Sequence, residues 1–259
     1  MSYPQIDPVL IRIGPLAVRW YGLMYLLAFG VGYLAIRKLS RLRQLPLNEQ
    51  GASDLLFYSM VGVILGGRLG YVLFYNAAFY LQHPFRILAV WEGGMSFHGG
   101  FLGVIAAVLL FCRRKGLPVL LVGDILATAS APGLFFGRIG NFINGELWGR
   151  VTDSPLGMVF PGAGPLPRHP SQLYEAFLEG VLMTLVLLLL HRKQAPHGAP
   201  MFAFFLLYGV FRFLVELVRE PDAHLGTLWG GATMGQLLCL PMIALGVAGL
   251  AWVSRKKVS

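Results

Sequence analysis

Residues 137–150 read GRIGNFINGELWGR, which places Arg138, Asn141, Asn144, Glu146, Trp148 and Arg150 among four glycines. An arginine fork matches phosphate geometry, and asparagine amides donate to phosphate or ester oxygens and accept from arginine. Glycines let the backbone bend sharply and approach a ligand closely. The stretch follows an apolar run, residues 119–136, long enough to cross a bilayer. Unpaired polar groups at a membrane boundary are costly, and the phosphates available at that depth belong to lipid headgroups. The expectation is a lipid-headgroup site. A second set, Tyr208, Arg212, Glu216 and Arg219, recurs at spacings of four, four and three, so it shares one helical face. His98, in MSFHGGFLG, supplies an imidazole able to take a proton near neutral pH.

Each of these residues also has a plainer reading. His98 is equally a packing histidine with a satisfied ring, and Arg212 an internal ion-pair partner of Glu216 one turn away. The ion pair and phosphate binding are compatible, because a carboxylate can aim an arginine that also holds an anion. Asn141, Asn144, Glu146 and Arg150 would close the loop after the fourth apolar run, and Tyr21 and Tyr25 would join Trp20 and Trp148 in an interfacial aromatic belt. Glu175 and Glu179 read as partners that orient a helix rather than as acids, and Gly66 and Gly70 as helix-packing positions.

The elements that must position these groups are membrane spans. Hydrophobic residues make up 56% of the 259, and charged residues only 13%, against about 25% in a soluble domain. Seven segments have the roughly 17 to 25 residues a spanning helix requires. They cover residues 18–36, 52–74, 94–112, 118–136, 173–190, 200–218 and 234–253. No cleavable signal peptide is expected before them, so the first span acts as the targeting signal. The fold class is therefore an all-α polytopic membrane protein of about seven helices. It is read as one integral membrane domain over residues 1–259, with a small outer loop or head region at 137–172 carrying the motif.

The net charge of +9 would suit nucleic acid, but its distribution argues otherwise. Arg37, Lys38, Arg41 and Arg43 follow span one, and Arg113, Arg114 and Lys115 follow span three. Arg192 and Lys193 follow span five, and Arg255, Lys256 and Lys257 follow span seven. Twelve of the 21 basic residues thus fall on one side of an alternating path, which the positive-inside rule makes cytoplasmic. The N-terminus is expected outside and the C-terminus inside. On that path Tyr21, His98, Arg138 with its motif, and the outward half of span six all reach the outer side. Cys112 and Cys239 lie in separate apolar runs, which argues against a disulfide framework or a metal site.

One internal echo is present. WYG at 20–22 is similar to FHG at 97–99, and GGRLGYVLFYN at 66–76 to FGRIGNFINGE at 136–146. A same-direction repeat and shared membrane composition both account for it; in a repeat, Arg68 and Arg138 would lie at similar depths.

Over nearly its whole length the chain resembles the bacterial prolipoprotein diacylglyceryl transferases. The likeness rests on WYGLMY (20–25), GGRLGYVLFYN (66–76), GGMSFHGG (93–100), GRIGNFINGELWGR (137–150), RHPSQLYEAFLEG (168–180) and YGVFRFLVELVREPD (208–222). The resemblance implies transfer of a diacylglyceryl group from phosphatidylglycerol to the lipobox cysteine thiol of a preprolipoprotein signal peptide. A thioether forms and glycerol phosphate leaves. Arg138 matches the family's phospholipid-binding arginine, with Asn141 and Gly149 matching positions beside it. Arg212 matches a second essential arginine that would stabilise the leaving phosphate, His98 the histidine proposed as base, and Tyr21 another important position. Asn144, Glu146, Tyr208 and Glu216 complete the expected substrate-binding set. No metal or organic cofactor is implied, because the leaving group is already activated. The partners are phosphatidylglycerol, lipobox signal peptides and membrane lipids, not nucleic acid. The implied location is the bacterial inner membrane, with the active site toward the periplasmic side. Residues 150–168 form a short outer segment for this family. The main competing function is an anionic-lipid transporter or flippase, which would need polar groups through the full membrane depth and commonly inverted repeats. A scaffold role leaves the arginine convergence without a reason.

Overall fold

The computed structural model describes residues 1–221 and 232–255. Lys256, Lys257 and Asp222, at the ends of the last basic cluster and the last motif, lie outside the described residues. Among the described residues, seven helical stretches are long and apolar enough to cross a membrane. They are α1 (Trp20–Leu42), α2 (Glu49–Tyr75), α4 (Phe97–Lys115), α5 (Val119–Ile143), Ser171–Arg192, α8 (Ala199–Glu216) and α9 (Met234–Arg255). A short α3 (Ala77–Gln82) follows α2. The stretch Ser171–Arg192 is composite: α6 (Ser171–Glu175), a π-helical turn over Ala176–Leu182, and α7 (Met183–Arg192). Ahead of α1 the sequence reading missed a hairpin, β1 (Val9–Ile13) paired antiparallel with β2 (Leu16–Arg19). Its run is short and lacks clean alternation, so period-2 patterning gave no signal.

The chain divides into two compact units, Met1–Arg43 with Asp124–Ser259, and Gln44–Gly123. In the second, α2 and α4 meet along a seam of small residues. A side chain on Gly66 would meet the Gly99 carbonyl and the Gly103 backbone, and one on Gly70 the Gly99 backbone. Without a hydrophobic force between helices in lipid, such close backbone approach maximises dispersion contact. Gly66 and Gly70 are thus packing positions, as their spacing suggested.

Arg68 lies on the same helix and is buried. It donates to the Ile87 carbonyl at 2.9 Å, to Arg86 at 2.6 Å, and to the carbonyls of Gly93 and Gly94. It pins the segment between α3 and α4, which is a structural task. Both members of the internal echo stand within helices, but Arg138 does something different, as described below.

In the first unit the basic end of α1 is tied to the turn before α8. Arg43 donates to the Ala195 carbonyl at 2.7 Å. Asp124, buried at the start of α5, accepts from the backbone N–H groups of Gly198 and Met201 at 2.8 and 2.9 Å. A carboxylate on the orphan donors of a helix N-terminus satisfies them and suits the helix dipole. The apolar interior nearby is built from Ala131, Met183, Leu187 and Ala203, with Tyr208 and Phe211 packed against it.

Candidate active site

Helix α5 runs to Ile143, so the motif begins inside the span rather than after it. Residues 137–143 were expected to open the outer loop; they instead form the last two turns of the helix. The polarity of Arg138 and Asn141 suggested a helix end, but Arg138 finds its acids on another helix and Asn141 donates to Glu146 in the turn that follows, so the backbone ladder continues. Arg138 therefore points from a rigid helix, which fixes its position better than a loop would.

The central feature is one carboxylate shared by three arginines. Glu175 on α6 is fully buried. Its Oε2 lies 2.6 Å from Arg138 Nη2 and 3.0 Å from Arg212 Nη1, and its Oε1 accepts from Arg219 Nη1 at 3.3 Å. Arg212 also pairs with Glu216 one turn along α8 at 2.9 Å, the internal ion pair anticipated from spacing. Glu179, in the π-helical turn, lies 3.6 Å from Arg138. Among the described residues, three positive and three negative side chains thus occupy one buried cluster. Burial lowers the pKa of Arg219 and the charge of Arg212 lowers it further, while Glu175 acts in the opposite direction.

Glu216 is held from the other side by α9. Thr233 donates its hydroxyl to Glu216 Oε1 at 3.0 Å and accepts from Gln236 N–H, while Gln236 Oε1 accepts from Thr233 N–H. This is a capping box, Thr at the N-cap and Gln at N3, with an anion at the positive end of a helix.

The rest of the motif forms a braced turn. Glu146 Oε1 accepts from the amides of Asn141 at 2.9 Å and Asn144 at 3.2 Å. The two asparagines are thus joined to the glutamate rather than to an arginine. The start of α6 clamps this turn from behind. Gln172 donates to the Glu146 carbonyl at 2.6 Å and Ser171 to that of Leu147 at 3.0 Å. Tyr21 on α1 sits against Gly140, where a Cβ would come within 2.8 Å of its ring, and its hydroxyl lies 3.4 Å from that of Tyr25. The ring thus rests on the same helical turn that carries Arg138 and Asn141. Tyr208 lies one turn before Arg212 and stacks on Phe204.

Gly149 is wedged between two backbone segments. Its N–H donates to His169 O at 2.8 Å, and the next N–H, of Arg150, donates to Val218 O at 2.8 Å. A Cβ here would lie 2.5 Å from the Val218 carbonyl oxygen and 2.7 Å from His169 Cβ. Only glycine fits. Arg150 Nε donates to the Arg219 carbonyl at 3.0 Å and Arg168 pairs with Glu220 at 3.0 Å, so Arg150 and Arg168 anchor the segment after α8 that carries Arg219.

Of the expected site residues, Arg138, Arg212, Glu216 and Tyr208 converge on the ion cluster, and Tyr21, Asn141, Asn144, Glu146 and Gly149 on the turn that continues from it. His98 belongs to the other unit, in the first turn of α4, where it is exposed and its ring meets Phe97 edge-on. What the sequence reading missed is the weight of Glu175 and Glu179. They were read only as helix-orienting partners, although two carboxylates four apart in an apolar span require cations. Both cysteines are buried free thiols.

This arrangement presents a group of guanidinium forks, held in place by buried acids, at one end of a helix cluster. Arg138 and Arg212 keep 17% and 15% of their side-chain surface exposed, so an anion can reach them. Comparison with known proteins gives the chemistry a context. The family model for prolipoprotein diacylglyceryl transferase matches residues 8–252. The chain is similar to the phosphatidylglycerol–prolipoprotein diacylglyceryl transferase of Geobacter sulfurreducens, 55% identical over all of this chain and 99% of that protein. Proteins of the same name from Oleidesulfovibrio alaskensis and Pseudomonas aeruginosa are each 54% identical, over 100% and 99% of this chain and 98% and 97% of theirs. The chain, a multi-pass membrane protein by its helices, belongs to the prolipoprotein diacylglyceryl transferase family.

Proposed function

We propose that this protein is a transferase of lipoprotein maturation that moves the diacylglyceryl group of phosphatidylglycerol onto the lipobox cysteine thiol of a preprolipoprotein. The observation that carries the reading is the Arg138–Glu175–Arg212 constellation, in a chain more than half identical over its full length to proteins named for that reaction. The thiolate attacks the glycerol carbon bonded to phosphate, the carbon–oxygen bond breaks toward oxygen, and glycerol phosphate departs as a thioether forms. Charge accumulates on the phosphate as that bond breaks. Preorganised guanidinium donors stabilise it without reorganisation, the larger part of many enzymes' rate enhancement.

Arg138 and Arg212 are the phosphate clamp. A guanidinium has five N–H donors, so an arginine that commits one nitrogen to Glu175 retains others for a phosphate. Tyr21, Asn141, Asn144, Glu146 and Gly149 shape the turn against which the headgroup glycerol lies, and Tyr208 and Glu216 hold the face of α8. His98 is the base that receives the thiol proton, since the thiolate is the nucleophile. The basic clusters support an outer N-terminus and a site toward the periplasmic side of the inner membrane, where the two membrane-anchored substrates would meet in line.

The test is transfer of labelled diacylglyceryl from phosphatidylglycerol to a lipobox peptide by the purified protein, beside Arg138→Lys. Lysine keeps the charge but loses the planar fork, so the variant should insert normally and lose most of its activity. Wild-type protein that bound or moved the lipid without labelling the peptide would be a transporter instead. A lysine variant with the wild-type rate would rule out the clamp.

A further inference from the structure

Glu179 has a place in the ion cluster that pairing alone does not explain. It is fully buried, yet among the described residues neither carboxylate oxygen has a hydrogen-bond partner, and the nearest cation, Arg138 Nη2, is 3.6 Å away and already 2.6 Å from Glu175. A buried, ionised carboxylate is ordinarily stabilised by two or more donors, so this one is held in a position poor for its charged form.

The backbone puts it there. Glu179 lies in the π-helical turn Ala176–Leu182, a distortion found mostly at functional sites. The next residue, Gly180, comes so close to α5 that a Cβ would lie 2.5 Å from Phe135 Cβ. That approach sets Glu179 beside the turn of α5 carrying Arg138. Among the described residues, the charged and titratable groups facing it are Arg138 from α5, Glu175 from its own helix, Tyr208 and Arg212 from α8, Arg219 beyond α8, and Cys239 from α9.

Charge balance then gives it a task. Arg138, Arg212 and Arg219 are matched by Glu175, Glu179 and Glu216 before a substrate arrives. An anionic phosphodiester entering among the arginines brings one negative charge more, in a site where uncompensated charge is expensive. We propose that Glu179 takes up a proton when the anionic headgroup binds, so that Arg138, released from it, turns to the phosphate. Glu175 and Glu216 are tied by short ion pairs to the arginines they orient, whereas Glu179 gives up the least on neutralisation. The inference rests on the proposed headgroup site and assigns the group that keeps the site neutral when it is filled.

Calorimetric titration of phosphatidylglycerol in detergent into the full-length protein, in two buffers of different ionisation enthalpy at each of several pH values around neutral, counts the protons exchanged. The wild type should take up a proton on binding lipid, at most about one per bound lipid. Glu179→Gln, which imitates the protonated carboxyl, should bind the lipid with an uptake near zero. Glu179→Asp withdraws the carboxyl by one methylene and should shift the pH at which uptake is half complete. Binding with no proton uptake in the wild type overturns the proposal and leaves the headgroup site standing. So does undiminished uptake in the glutamine variant or an unmoved midpoint in the aspartate variant. Absence of any binding heat for the wild type removes the headgroup site itself, and the proposal with it.

Discussion

Replacing Glu175 by Gln tests the physical core of the site, because a single atom exchange removes the charge that three arginines share. The carboxylate is fully buried, with arginine nitrogens at 2.6, 3.0 and 3.3 Å. Removing one partner of a buried ion pair costs about 3–5 kcal/mol, mainly because the other charge is left uncompensated. The lower end applies here for two structural reasons. Arg138 and Arg212 retain some exposure, so solvent and headgroups offset part of the loss. Glutamine also keeps the shape and one accepting oxygen. About 3 kcal/mol lost from guanidinium placement in the transition state is roughly a hundredfold in rate. The measurement is kcat/KM for diacylglyceryl transfer to a lipobox peptide, with the unfolding midpoint of the solubilised protein followed in parallel. A folded variant that transfers within about twofold of wild type would refute the argument that Glu175 aims the arginines.

Gly149→Ala should fail for steric reasons, since its Cβ would lie 2.5 Å from the Val218 carbonyl oxygen; overpacking of about 1–3 kcal/mol should lower the unfolding midpoint and depress activity. His98→Gln should slow transfer while phosphatidylglycerol binding stays near normal, because an amide takes up no proton near neutral pH. As pH rises toward the ordinary thiol pKa of about 8.5, the peptide cysteine ionises unaided and the variant should recover in part. Equal proportional loss at every pH would sink the base role and leave a binding residue. A reporter fused after Lys115 or Ser259 should register cytoplasm and one near Gly162 the outer compartment; an outer signal at the C-terminus would overturn the proposed orientation.

Composition and the seven apolar runs determined by themselves that the chain is helical and crosses a membrane, because a bilayer admits only backbones that satisfy their own hydrogen bonds. The helix-face spacing of Tyr208, Arg212 and Glu216 likewise determined that α8 presents a polar stripe, and the 2.9 Å Arg212–Glu216 pair is the local contact that spacing allows; Arg219, expected on the same face, lies beyond the end of α8 at Glu216. The motif residues named the turn that Asn141, Asn144 and Glu146 build, since they lie within five positions of one another. Tertiary structure alone decided which acid answers Arg138. Glu175 is 37 positions away on another helix, and periodicity carries no information about which helix faces which. The end of α5 was hidden for the same reason. Arg138 looks like the close of a span until acids from another helix satisfy it, and the helix then continues to Ile143. The π-helical turn that sets Glu179 beside Arg138 was equally illegible, because it depends on Gly180 meeting Phe135 across two helices. Gly149 could be recognised as a glycine of the motif, but its reason is the pair of backbones that close on it, His169 on one side and Val218 on the other. Local spacing governs what one helix displays; the charge balance of a buried site is settled only when distant helices pack, because burial makes each unpaired charge costly enough to select its partner.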